Sequence, residues 1–200
     1  MEGSPGTVSA FILAGGHSTR MGADKAFLLL DESSLLARSL DLVRSVADEV
    51  RIVGNAHKFA EFAPVVEDVF RDCGPLGGIH AALRSTSTEL NLILAVDMPF
   101  VSREFLQHLI TRARSAPAAM ATIPRVASGW QPLCGIYRRN FSGAAETALR
   151  AHRYKIDALF EVVRTQIIGE EEFTSAGFSP SIFRNLNTKE DLEAALRTGN

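Results

Sequence analysis

Ala10-Phe11-Ile12-Leu13-Ala14-Gly15-Gly16-His17-Ser18-Thr19-Arg20-Met21-Gly22-Ala23-Asp24-Lys25 joins an apolar run to a glycine-rich loop that ends on a lysine. The apolar residues predict a buried strand from Val8 to Leu13. Gly15, Gly16 and Gly22 then allow positive φ, so the loop can turn its backbone N–H groups toward one point. A glycine pair alone is explained by an ordinary turn. Arg20 and Lys25 on the same loop add fixed positive charge, which suits a polyphosphate and is not needed by a turn. The spacing excludes two familiar loops. The glycines do not form GxGxxG, and Gly22-Ala23-Asp24-Lys25-Ala26 lacks the GK[ST] ending of a P-loop.

Outward from this stretch, short apolar runs alternate with helical patterns, the signature of βαβ units. Further strands are predicted at Val50 to Val53 and Leu92 to Val96, and Leu92-Ile93-Leu94-Ala95-Val96 lacks alternation, as a strand buried on both faces should. Helical spacing covers Ser33 to Val46, Gly77 to Leu83 and Ser102 to Arg114. The second half predicts strands at Ala118 to Ile123 and Leu133 to Tyr137 around a loop, Arg125 to Trp130, as an antiparallel excursion. Helices follow at Phe141 to Arg150 and Ile156 to Val162, a strand at Thr165 to Ile168 and a last helix at Thr188 to Leu196. Glu170-Glu171-Glu172 reads as a solvated loop. The fold class expected is a three-layer α/β/α, Rossmann-like domain with a mostly parallel central sheet, formed by residues 1–200 as one unit with a disordered tail at 1–6.

The composition narrows the partners. Hydrophobic residues make up 46% and charged residues 22%, as in a packed globular protein. Lys+Arg 21 against Asp+Glu 23 gives a net charge of −2, so no global basic field draws nucleic acid or an anionic membrane. Two distant cysteines, Cys73 and Cys134, form no CxxC and point to neither zinc nor a disulfide framework. No secretory signal or membrane-length apolar run is present, so a cytoplasmic location without membrane attachment is expected.

Two more motifs carry chemistry. Asp97, in Val96-Asp97-Met98-Pro99-Phe100, follows a central strand at the edge where open α/β sheets bind ligands. Its carboxylate can hold Mg²⁺ against substrate phosphates, or serve as a turn residue before proline. Val66-Glu67-Asp68, followed by Cys73-Gly74-Pro75-Leu76-Gly77-Gly78-Ile79, is a strand end with acids and a glycine-rich turn into a helix. Gly74, Gly77 and Gly78 would let a ligand approach the helix N-terminus, and Asp68 can accept from the N1–H and N2–H₂ edge of guanine. Glu67 is equally explained as a surface acid. Asn55, after the second strand, can read a base or ribose or simply form a turn. Trp130-Gln131-Pro132-Leu133 can line a pocket for a flat ring or belong to the core. Thr188 and Asp191 fit a helix cap, which leaves the flanking Asn185 and Asn187 unexplained.

In their order along nearly the whole chain, LAGGHSTRMGADKA, VVED with GPLGGI, LAVDMPF, QPLCGIY and NLNTKEDL resemble the molybdenum cofactor guanylyltransferase family of nucleotidyltransferases. The resemblance implies transfer of GMP from GTP to the terminal phosphate of molybdopterin or Mo-molybdopterin, with release of pyrophosphate. It assigns Leu13, Ala14, Gly15, Gly16 and Lys25 to the GTP site, with Asp68 and Asn55 also on the nucleotide. It gives Asp97 to Mg²⁺ and turns Asn185 and Asn187 toward the pterin. Arg20, Lys25 and Asp97 are the expected catalytic residues. Molybdenum-insertion and molybdoenzyme-maturation proteins are the further partners it implies. The alternatives are a molybdopterin cytidylyltransferase, a sugar- or polyol-phosphate nucleotidyltransferase, and a nucleotide-binding regulator without catalysis.

Overall fold

A computed structural model of the chain describes residues 7–15, 24–186 and 191. Gly16, Arg20, Gly22, Asn187 and Thr188, the tail at 1–6 and the expected Thr188 to Leu196 helix lie outside the described residues, apart from Asp191.

Strand β1, Val8–Leu13, is buried at every position. Parallel partners flank it: β4, Glu49–Val53, on one side and β6, Leu90–Ala95, on the other. Beyond β4 lies β5, Val65–Val66. Beyond β6 come β9, Cys134–Arg138, then β7, Ala121–Val126, and β10, Thr165–Gly169, with β8, Gly129–Trp130, paired to β7. Only β8 and β9 run against the other six strands of this eight-stranded sheet. The expected antiparallel excursion is thus β9 and the β7–β8 hairpin. A separate pair, β2 at Leu29–Leu30 and β3 at Ser33–Ser34, leads into α1.

Side chains alternate across the sheet and divide the core in two. Ala10, Ile12, Leu92 and Leu94 face a layer that contains α1, Leu35–Arg44, α4, Arg103–Ser115, and α7, Glu170–Ser175. Phe11, Leu13 and Ile93 face α3, Pro75–Arg84, α5, Phe141–Arg150, and α6, Asp157–Phe160. Three layers result. Ser34 and Ser102 cap α1 and α4 by accepting from Ala37 and Phe105 N–H, so two helix starts are fixed by short polar side chains.

The acidic run departs from its expected form. Glu170, Glu171 and Glu172 form the first turn of α7, where carboxylates meet the positive end of the helix dipole. Glu172 also takes Arg112 at 2.7 Å and lies 3.4 Å from His108, and Glu170 accepts from the Ala127 N–H. Among the described residues no helix is long and apolar enough to cross a membrane.

Candidate active site

The register brings Leu13, Val53 and Ala95 level at the carboxyl edge of the sheet. Ala14 N–H donates to Val53 O at 3.0 Å, and Val96 N–H to Leu13 O at 3.2 Å, so the loops after β1, β4 and β6 leave together. The chain passes from β1 outward through β4 to β5 and then returns to place β6 on β1's other side. The crevice between β1 and β6 is therefore a topological switch point, the place where such sheets bind ligands.

Lys25 and Asp97 meet across that crevice. Lys25 opens a 3-10 turn, Lys25–Phe27, whose start is capped by Asp24 accepting from Ala26 N–H. Its Nζ lies 3.3 Å from Asp97 Oδ2, and the two side chains are 18% and 19% exposed. Both charges are thus shielded from bulk water yet reachable from the cleft. Asp24 also holds Lys58 at 2.8 Å, which fastens the end of the glycine loop to α2, Ala56–Phe59. Leu13 is buried at the end of β1, and Gly15 approaches the next loop: a Cβ on it would stand 3.7 Å from the Gly54 Cα.

Asn55 caps α2, its Oδ1 accepting from His57 N–H at 2.8 Å. That accounts for the turn role of this exposed residue. Glu67 reaches the same helix start, accepting from Ala56 N–H at 3.2 Å.

Asp68 lies against the first turn of α3. Its Oδ1 accepts from Phe70 N–H at 2.8 Å. Its Oδ2 fills the space where a Gly77 Cβ would be, at 2.5 Å. Gly77 therefore admits Asp68, where the sequence suggested that it admits a ligand. Burial, opposed by the Phe70 N–H bond and the nearby His80 imidazole, holds the Asp68 carboxyl above the ordinary carboxylate range. Gly78 faces the Leu13 and Val53 side chains, which a Cβ there would meet at 3.4 Å, an ordinary close contact. Gly74 precedes the helix at φ 66° with open space around it, a backbone position that favours glycine.

The C-terminal segment joins the same edge. Leu186 N–H donates to the Asp97 carbonyl at 3.0 Å, which sets the exposed Asn185 beside the aspartate loop, and the Arg184 guanidinium stacks 4.5 Å from the Phe100 ring centroid. Lys25, Asp68, Asp97 and Asn185, distant in sequence, thus converge on one edge.

Gly54 is a residue that sequence reasoning missed. A Cβ there would stand 2.9 Å from the Phe59 ring, so glycine gives that ring room to pack against the β4 end, while Gly15 N lies at an ordinary 3.6 Å. Its one sequence signal is its place between a strand end and Asn55.

A lysine–aspartate pair over a switch point, with a second acid at a helix start, belongs to the nucleotidyltransferase class of α/β enzymes. Residues 10–166 match the model of the MobA-like NTP transferase domain, and the chain belongs to that family. A molybdenum cofactor guanylyltransferase of Syntrophotalea carbinolica is 34% identical over 195 residues, spanning 96% of this chain and 91% of its own. Another of that name, from Desulfosudis oleivorans, is 34% identical over 198 residues, spanning 96% and 97%. The crystal structure of molybdopterin-guanine dinucleotide biosynthesis protein A from Archaeoglobus fulgidus aligns with a TM-score of 0.82 at 27% identity, covering 96% of this chain and 98% of that one.

Proposed function

We propose that the protein transfers GMP from GTP to the terminal phosphate of molybdopterin or Mo-molybdopterin and releases pyrophosphate. The observation that carries this reading is the Lys25–Asp97 pair at the β1/β6 crevice, in a chain similar over nearly its whole length to molybdenum cofactor guanylyltransferases. We take residues 1–200 as one nucleotidyltransferase unit.

The chemistry follows from charge. An acceptor phosphate oxygen bonds to the α-phosphorus of GTP as the bond to pyrophosphate breaks. The acceptor is already anionic, so a strong general base is unnecessary; the barrier is repulsion between two polyanions. Lys25 and, from the glycine loop, Arg20 and the amides of Ala14, Gly15 and Gly16 neutralise the triphosphate and stabilise the in-line transition state. Asp68 and Asn55 contact the nucleotide, with Gly74 and Gly78 shaping the turn and helix beside it. Asn185 and Asn187 face the pterin.

Asp97 suits Mg²⁺ by its donor chemistry: a partly exposed carboxylate at the cleft offers oxygen to a hard cation that commonly bridges a carboxylate to substrate phosphates. Bound there, Mg²⁺ supplies charge neutralisation on the donor phosphates. Asp97 and Lys25 hold and orient the opposing charges.

Donor choice is tested by a thermal-shift panel of GTP, CTP, UTP and ATP with Mg²⁺. GTP should give the largest stabilisation; a clear preference for CTP would reject the guanylyl reading and favour a cytidylyltransferase.

A further inference from the structure

The hairpin on the opposite side of Asp97 carries a guanidinium that the donor site does not use. Strand β7 runs in the same direction as β6, since both are antiparallel to the intervening β9. Its far end therefore emerges at the same sheet edge as Asp97. Ala95 N–H donates to Leu133 O at 2.8 Å and Gln131 N–H to Pro124 O at 2.9 Å, so Arg125 and Trp130 stand level with the end of β6. Two strand spacings separate β7 from β6, roughly 10 Å. Lys25 and Asp68 lie toward β1, β4 and β5; Arg125 lies toward β7. Asp97 is between them.

Arg125 and Trp130 are cross-strand partners. The guanidinium carbon sits 4.9 Å from the Trp130 ring centroid, and Trp130 in turn packs 4.9 Å from Phe160, which Tyr137 and Phe141 support from below. Stacking engages the flat face of a guanidinium and leaves its in-plane N–H fork free, the geometry that binds a phosphate in two places. Among the described residues no carboxylate pairs with Arg125, and it is exposed in an otherwise buried strand. An exposed arginine braced by an aromatic column, unpaired and level with the reaction centre, is arranged to receive an anion.

We propose that Arg125 binds the terminal phosphate of the acceptor and that Trp130 is the positioning residue that holds its guanidinium toward the cleft. The inference rests on the nucleotidyl-transfer reading and adds to it the acceptor's side of entry. The acceptor approaches from β7 and the donor from β1 and β4, so that attack at the α-phosphorus runs across Asp97 with pyrophosphate leaving on the far side.

Trp130 is the chain's one tryptophan, so its emission reports on this platform alone. With the full chain, molybdopterin titrated without GTP should change Trp130 fluorescence saturably, while GTP with Mg²⁺ should change it little. In steady-state transfer, Arg125→Ala should raise the acceptor KM roughly 10- to 100-fold, the loss expected for charge-assisted hydrogen bonds, and leave the GTP KM unchanged. Arg125→Lys should recover part of this, and Trp130→Leu should raise acceptor KM with GTP KM intact. Arg125 is exposed, so its variants fold, and circular dichroism checks the fold of Trp130→Leu, which loses packing on Phe160. An unchanged acceptor KM in Arg125→Ala, or an equal rise in both KM values, overturns the proposal. Wild-type transfer separates the two readings. If the wild-type protein transfers a nucleotide to another phosphorylated acceptor, the molybdopterin reading fails, and the same variants decide the role of Arg125 on that acceptor.

Discussion

The two flanks of Asp97 are built differently. On the donor flank the described polar and charged residues are held: Lys25 to Asp97, Asp68 to Phe70 N–H and the Gly77 space, and Asn55 to the α2 start. On the acceptor flank, Asn185 is placed by one backbone bond from Leu186, and Arg125 is held by a stack on Trp130 with its donors free. Under the proposed function, these described donor-side groups are already held in place before a polyphosphate arrives, which lowers the cost of ordering them on binding. Among the described residues, the Arg125 and Asn185 side chains of the acceptor flank are uncommitted. This difference predicts that donor-side changes act through the geometry of many groups, whereas acceptor-side changes act through single contacts.

The largest effect expected is from Lys25→Ala. It removes a fixed charge beside the transferred group, and kcat/KM should fall roughly 10²- to 10³-fold while the thermal midpoint stays near wild type. Near-normal turnover would break the donor-side account. Next comes Gly77→Ala. The new Cβ would stand 2.5 Å from Asp68 Oδ2 and 2.8 Å from the Phe70 carbonyl, so the Asp68 loop must move. Destabilisation of about 1–3 kcal/mol by denaturant titration is expected, with GTP affinity lowered more than acceptor affinity.

His80 gives a smaller, pH-dependent effect. It is buried in α3, neither ring nitrogen has a hydrogen-bond partner among the described residues, and Glu146 lies 3.7 Å from Nε2. Burial lowers its pKa below 6.5, with the charge of Glu146 opposing. Between that native value and 6.5 the unfolded chain binds a proton that the native chain does not. Stability contributed by neutral His80 is therefore present above pH 6.5 and is lost as pH falls through this window. Asp68 has the opposite sign: its raised pKa makes the native chain hold a proton just above pH 3.8, so its contribution to stability grows as pH falls there. Thermal midpoints measured from pH 4 to 8 should show the acid-side loss setting in below pH 6.5, and His80→Gln should flatten it. An unchanged profile in that variant would assign the loss to other groups.

The smallest effect is from Gly78→Ala, one residue from Gly77. Its Cβ would meet Leu13 and Val53 at 3.4 Å, an ordinary close contact, and alanine gains up to about 1 kcal/mol of helix propensity over glycine. Stability and GTP KM should both stay near wild type. A large rise in GTP KM would instead assign Gly78 a direct role at the nucleotide.

Periodicity and position made much of this legible in the sequence. Val8–Leu13 was readable from its unbroken apolar run, and Lys25 and Asp97 from their places after the first and central strands. Elements too short to show a period were not legible, α2 with four residues and β8 with two, whereas the two-residue β5 was marked only by its end at Val66 before the acids. Strand β7 runs Ala121–Val126, later than expected, because Pro124 and the exposed Arg125 disguise its end. Helix α7 hid behind three acids because Phe173 is its only buried residue. The partnership of Gly77 with Asp68, and of Gly54 with Gly15 and Phe59, is contact across the fold, which local spacing does not encode.

The central claim, transfer of GMP onto a phosphorylated pterin, is tested most directly by incubating the protein with molybdopterin, Mg²⁺ and GTP labelled in its α-phosphate. The account predicts label in a GMP–pterin adduct with stoichiometric pyrophosphate. Pyrophosphate and adduct both absent with active molybdopterin, while GTP still binds, would contradict it and leave a nucleotide-binding protein without transferase activity on that acceptor.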